Sequence, residues 1–139
     1  MKIWGTIFLG VALACFLCTG NAFADKSSVK IEAPEVAEKD TDIVIKIHVT
    51  HKGNNFIHYT DRVEVKINEK PVQQWVFSAS DRPEAENFTR EFSYRLTEPI
   101  TIVAEANCNM HGSEGPATWS VSLASAQTEN KDKEKESKP

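Results

Sequence analysis

This sequence predicts an all-β chain folded as an immunoglobulin-like antiparallel β-sandwich, on three observations. Apolar residues recur at every second position over much of the chain, turn residues interrupt that alternation at short intervals, and no stretch carries an apolar face at helical spacing. The alternation is plainest in three segments. Ile43, Ile45, Ile47 and Val49 alternate with Asp42, Val44, Lys46 and His48; Val63, Val65 and Ile67 alternate with Arg62, Glu64 and Lys66; Ile100, Ile102, Ala104 and Ala106 alternate with Thr101, Val103, Glu105 and Asn107. Successive side chains of a strand point to opposite faces, so each segment buries one face and wets the other.

Four more strand-like runs complete a set of seven: Val29–Ala33, Val72–Phe77, Phe88–Leu96 and Ala117–Leu123. Turn residues separate them at Asn68-Glu69-Lys70-Pro71, Asp81-Arg82-Pro83 and Glu98-Pro99. The expected core includes Ile45, Ile47, Val65, Phe92, Ile102, Ala104 and Trp119. Trp75, Phe77 and Phe88 are strand-packing aromatics.

The two ends of the 139-residue chain read differently. Lys2 precedes an uncharged apolar run from Ile7 to Leu17, and Ala22-Phe23-Ala24 puts small residues where a signal peptidase cuts. Residues 1–24 are therefore expected to be a removable leader and the product to be exported, periplasmic in a bacterium. The alternatives are a retained anchor and a lipidated Cys15 or Cys18. The apolar run is shorter than the roughly 20 residues that span a bilayer, and the cleavage signature lies beyond both cysteines, so no membrane anchor is expected after cleavage. Residues 127–139 are charged and lack any apolar side chain, the composition of a disordered tail. One domain is expected over 25–126.

Cleavage leaves 15 basic and 20 acidic side chains, a balance with no electrostatic footprint for nucleic acid. It also leaves Cys108 as the sole cysteine. A lone thiol in an oxidising compartment calls for burial, intermolecular pairing or metal ligation.

Every histidine falls in one of two short segments where strands stop: His48, His51 and His58 in the first, and His111 beside Cys108 in Cys108-Asn109-Met110-His111-Gly112. Cys108 continues the inward face of Ile100–Ala106. His51 and His58 bracket Gly53-Asn54-Asn55, residues that tolerate the backbone of a hairpin-like return. Imidazole plus thiolate is a transition-metal ligand set and a poor one for calcium; surface histidines with a buried cysteine are the plain alternative.

Cys108-Asn109-Met110-His111-Gly112 resembles the Cys-Asn-x-His-Gly signature of the superoxide reductases (the desulfoferrodoxin and neelaredoxin family), and His51 with His58-Tyr59 resembles that family's upstream paired-histidine segment. The resemblance covers roughly 42–123. It implies a mononuclear non-haem iron with Cys108 as axial ligand and His51, His58 and His111 as equatorial ligands. It further implies reduction of superoxide, or another small oxidant, to the peroxide level, with electrons from an external one-electron donor such as a c-type cytochrome.

The sequence departs from the family pattern at two points. His51 and His58 are separated by six residues, one more than is usual in the family, and the family's upstream Glu-Lys-His element has as its nearest match Glu38-Lys39-Asp40, which lacks the histidine. His48 is the remaining imidazole and the candidate for the fourth equatorial place, although alternation puts it on the outward face. Lys39, Lys46 and Lys52 are candidates for attracting an anion, or simply solvated lysines. Two other classes stay open: a copper or iron electron carrier, although blue-copper sites want a distant axial Met and Met110 lies between Cys108 and His111 with no Met after it, and a metal-free β-sandwich binding module.

Overall fold

The computed structural model describes residues 25–125, so the leader expected over 1–24 and the charged segment 127–139 lie outside the described residues. Eight strands and no helix occur among the described residues: β1 (Ser28–Glu32), β2 (Val36–Ala37), β3 (Thr41–Thr50), β4 (Thr60–Ile67), β5 (Lys70–Val76), β6 (Asn87–Leu96), β7 (Ile100–Cys108) and β8 (Ala117–Leu123). They form two sheets, ordered β1-β3-β6 and β2-β8-β7-β4-β5. All pairs are antiparallel except β2 with β8. The immunoglobulin-like sandwich is thus the observed architecture. β2 is the added strand: two residues are too few to carry a period.

The sheets face each other through the residues that alternation assigned to the inside. Ile43, Ile45, Ile47 and Val49 of β3 meet Val63, Val65 and Ile67 of β4 and Ile100, Ile102, Ala104 and Ala106 of β7, all buried. Phe92 and Trp119 correct the expected core, because both are only partly buried. Phe92 lies on β6, at the edge of the smaller sheet, and Trp119 lies near the short β2, where its indole N–H donates to the Pro34 carbonyl at 3.3 Å. An aromatic at a sandwich rim covers the core with one face and meets water with the other.

Two connections decide where chemistry can sit. The turn Asn68-Glu69 joins β4 to β5 with φ of 47° and 67°, the left-handed pair that matches strand twist in a two-residue hairpin. The connection over residues 51–59 is not a hairpin. β3 and β4 belong to different sheets, so this segment is an arch across one end of the sandwich. β7 ends at the same place, where Cys108 pairs with Thr60, and a register shift between Thr60 and Arg62 marks a bulge there. Bulges commonly end a ladder and re-aim side chains next to a site.

Candidate metal centre

His51 is fully buried at the start of the arch, and its N–H donates to the Glu86 carbonyl at 2.8 Å. Asn54 holds its ring. Asn54 Nδ2 donates to the Ala85 carbonyl (2.7 Å), which leaves Oδ1 to accept from the Thr60 N–H (2.8 Å) and from His51 Nδ1 (2.9 Å). His51 therefore carries its proton on Nδ1 and turns Nε2 into the cluster, the arrangement that orients a metal-binding imidazole.

His58 returns from the tip of the arch. Asn55 Oδ1 accepts the N–H groups of Ile57 and His58, both at 2.9 Å, and the Asn55 N–H donates to the His58 carbonyl at 2.8 Å. Gly53 makes this fold possible, since its φ is 101° and a Cβ there would stand 3.3 Å from His58 Nδ1.

Cys108 is buried, and a tight turn follows it. Its N–H and carbonyl both bond to Gly112, and the N–H groups of Met110 and His111 point at Sγ from 3.4 Å. Asn109 ties this turn to the arch: its Oδ1 accepts the Tyr59 N–H and its Nδ2 donates to the Ile57 carbonyl, each at 2.9 Å.

These supports bring four donors together. His58 Nε2 lies 3.0 Å from His51 Nε2 and 2.9 Å from His111 Nδ1, and Cys108 Sγ lies 4.0 Å from His111 Nδ1. Consecutive imidazoles are nearly perpendicular, at 89° and 87°. Two imidazole nitrogens bound at right angles to one ion, each about 2.1 Å away, would be about 3 Å apart. The spacing and the soft donor set therefore fit a transition metal such as iron. His58 is held below the ordinary histidine range by burial and by the facing His51 and His111 rings, which keeps its lone pair available near neutral pH.

His48 is not brought to the cluster. It lies on the outer face of β3, where Nε2 faces Glu32 Oε2 and Nδ1 faces Thr89 Oγ1, both at 2.9 Å. Among the lysines, Lys46 pairs with the same Glu32, and Lys39 precedes β3 at the far end of the sandwich. Lys52 follows His51 in the arch and is exposed. Met110 turns its side chain to solvent, 57% exposed, an orientation unsuited to an axial thioether. The sequence singled out Asn54 only as a turn residue and Asn109 only as part of the Cys-Asn-x-His-Gly signature; their roles in holding His51 and in tying the Cys108 turn to the arch are what sequence reasoning missed.

Solved structures with related folds include superoxide reductases. The neelaredoxin of Ignicoccus hospitalis is 21% identical, with 71% of this chain covering 82% of that one at a TM-score of 0.57. A candidate superoxide reductase from Thermotoga maritima is 22% identical, with coverage of 70% and 86% and a TM-score of 0.54. The CARDB domain of a Pyrococcus furiosus protein, solved with di-metal ions, is 21% identical, with coverage of 70% and 91% and a TM-score of 0.54. These likenesses establish the sandwich fold. Among curated proteins none matches. The sequence model of the family described as desulfoferrodoxin matches residues 19–114, more than half of the chain, and both residue segments of the cluster fall within it, so the chain belongs to the desulfoferrodoxin family.

Proposed function

We propose that this protein is an exported non-haem iron protein that reduces superoxide to hydrogen peroxide at the His51, His58, His111 and Cys108 cluster. The observation that carries the reading is that the donor atoms of His51, His58 and buried Cys108 lie within 4.8 Å of one another, with His111 Nδ1 joining them 2.9 Å from His58 Nε2 and 4.0 Å from the Cys108 sulfur, in a desulfoferrodoxin family member. Ferrous iron bound there would supply the one electron that, with two protons, converts superoxide to hydrogen peroxide.

The chain's own residues divide the remaining work. Cys108 is the charge-donating ligand, and the amides of Met110 and His111 fix its sulfur in place. Asn54 holds His51 in one tautomer, so the innermost imidazole does not have to reorganise. His111 is exposed, which leaves that side of the cluster open to a small anion; Lys52, exposed on the arch next to His51, is the candidate for attracting it. Export is supported by the Ala22-Phe23-Ala24 signature. With no second redox group legible in the sequence, re-reduction falls to an external one-electron donor, and a c-type cytochrome is the class that suits an exported protein.

The test is stoichiometric. Reduced, iron-loaded protein given a known dose of superoxide should yield one hydrogen peroxide per superoxide consumed, with oxidation of one iron and no dioxygen released. Dioxygen evolution at half the superoxide consumed would indicate dismutation, and no acceleration of superoxide loss would leave an electron carrier or a binding module. Metal analysis of untagged protein separates those two.

A further inference from the structure

We infer that the apolar face made by Phe56, Ile57 and Met110 is the docking surface for the external one-electron donor, and that this donor is a protein whose redox group has an uncharged, apolar rim. The inference rests on the proposed function above, whose re-reduction step it places on the molecule. Among the described residues the exposed large apolar side chains are of two kinds. Val36, Val44, Val72 and Val76 lie on strands, where a β-branched side chain suits the extended backbone whichever face it points to. Phe56, Ile57 and Met110 lie in the two segments that carry the ligands, 67%, 71% and 57% exposed, and strand propensity does not account for them.

The three form one face. Ile57 precedes His58, Met110 precedes His111, and the Asn109 side chain staples the two segments by accepting the Tyr59 N–H and donating to the Ile57 carbonyl. At the margin the Arg82 guanidinium lies 6.0 Å from the centre of the Phe56 ring. Of the four donors, His51 and Cys108 are buried and His58 is half-buried, so exposed His111 is the one a macromolecule meets first. Electron transfer weakens steeply with distance, and a donor seated on Ile57 and Met110 stands against the ligands it must feed. One electron passes from the donor to the oxidised iron, with no bond made or broken.

Charge selects the partner. Residues 53–60 and 106–113 contain no Asp, Glu, Lys or Arg, although stretches of that length in a chain that is 26% charged would carry about four. The centres of interfaces are depleted of charge in this way. An uncharged face is complementary to another uncharged face, and not to a ring of lysines or carboxylates. Size argues in the same direction. Three side chains exposed to this degree offer roughly 350 Å² of apolar surface, below the roughly 800 Å² per partner of a stable dimer and in keeping with the brief encounters of electron carriers.

Stopped-flow re-reduction of the oxidised, iron-loaded full chain tests this with two probes: a reduced c-type cytochrome of near-zero net charge, and ascorbate, which needs no docking face. Phe56→Ser combined with Ile57→Ser alters side chains that make none of the hydrogen bonds of the arch. It should slow the cytochrome about tenfold or more, while re-reduction by ascorbate and the reaction of the reduced protein with superoxide keep their rates. Val36→Ser, at the opposite end of the sandwich, should change none of the three. With the unaltered protein, the cytochrome rate should vary less than about threefold between roughly 50 and 500 mM salt. Should the double variant fail to fold, Met110→Ser reads the same face. An unchanged cytochrome rate in the folded variant, a steep fall with salt, or equal slowing with ascorbate overturns the inference. A cytochrome that fails to reduce the unaltered protein while ascorbate succeeds also overturns it. So does loss, in the variant, of a dimer or of binding to phosphatidylcholine vesicles, which would assign the face to a second copy or to a bilayer. These outcomes leave the proposed function standing, whereas reduced protein that does not accelerate superoxide loss overturns both.

Discussion

The two ends of this sandwich are served by the same strands and treat polar groups in opposite ways. At the far end, β4 passes to β5 through Asn68 and Glu69 alone, and the Asn68 side chain accepts the Thr101 N–H at the surface. At the near end the chain uses residues 51–59 to cross between sheets. Ser27, His51 and Thr60, the buried polar side chains among the described residues, all lie there. The far end closes the fold with few residues, whereas the near end accepts the burial of polar groups to hold four donors in one place. Stability and function are thus separable along the strands, and substitutions can show it.

The largest effect is expected in the middle of the strands. Ile45 is fully buried between the sheets, and Ile45→Ala should cost about 2–5 kcal/mol of stability. Urea unfolding measures it, and the metal-loaded spectrum of the fraction still folded should not change. Asn54→Ala is the complementary break. It strips the acceptor from His51 Nδ1 and from the Thr60 N–H, so about 1–3 kcal/mol should be lost. Metal affinity should fall about 10–100-fold, as for other groups that orient a ligand. A competition titration with a chelator reads the second effect. Equal losses of affinity in both variants would erase the distinction between the two regions.

A smaller effect concerns the segment that props the arch. Arg90 grips Glu84 through two 2.8 Å bonds and lies over the Phe77 and Phe88 rings, while the neighbouring Ala85 and Glu86 carbonyls receive Asn54 and His51. The Arg90 hydrogen bonds hold the Glu84 carboxyl well below its ordinary value, at about 2. A carboxylate lowered in this way stabilises the fold fully above its ordinary pKa of 4.5 and loses that contribution as pH falls through about 2. The Glu84 side chain is 60% exposed, so solvent screening keeps the contribution below about 1 kcal/mol. The stability gap between the protein and Glu84→Gln should be open at neutral pH and close on acidification over that window, as thermal melts at a series of pH values would record.

The smallest effect is assigned to His48. Its hydrogen bonds to Glu32 and Thr89 lie on an exposed face, so His48→Ala should cost less than about 0.5 kcal/mol and leave the metal-bound spectrum unaltered. A spectral change as large as that of His51→Ala would return His48 to the ligand set.

How much of this was legible in the sequence follows from the range of each interaction. The period of two located β3, β4 and β7 because burial on one face of a strand is written residue by residue. It could not show β2, nor the half-exposure of Phe92 and Trp119, because position within a sheet depends on which strands are neighbours. The histidines and Cys108 were legible as a cluster because each stands where an alternating run ends. The outward place of His48 followed from the same alternation. The role of Asn54 was not legible, because it depends on the Ala85 carbonyl and the Thr60 N–H meeting one side chain. The approach of Asp25 to His51 spans 26 residues and leaves no mark in either segment.

The central claim is that Cys108 and three histidines hold one metal ion at the arch end. Untagged protein loaded anaerobically with ferrous iron and then oxidised tests it most directly, when compared with Cys108→Ser treated identically. The account predicts one iron per chain and a visible sulfur-to-iron charge-transfer band that is absent from the variant, with circular dichroism the same for both. A protein that binds no iron while Cys108 remains a free thiol, or a band that survives Cys108→Ser, would contradict it.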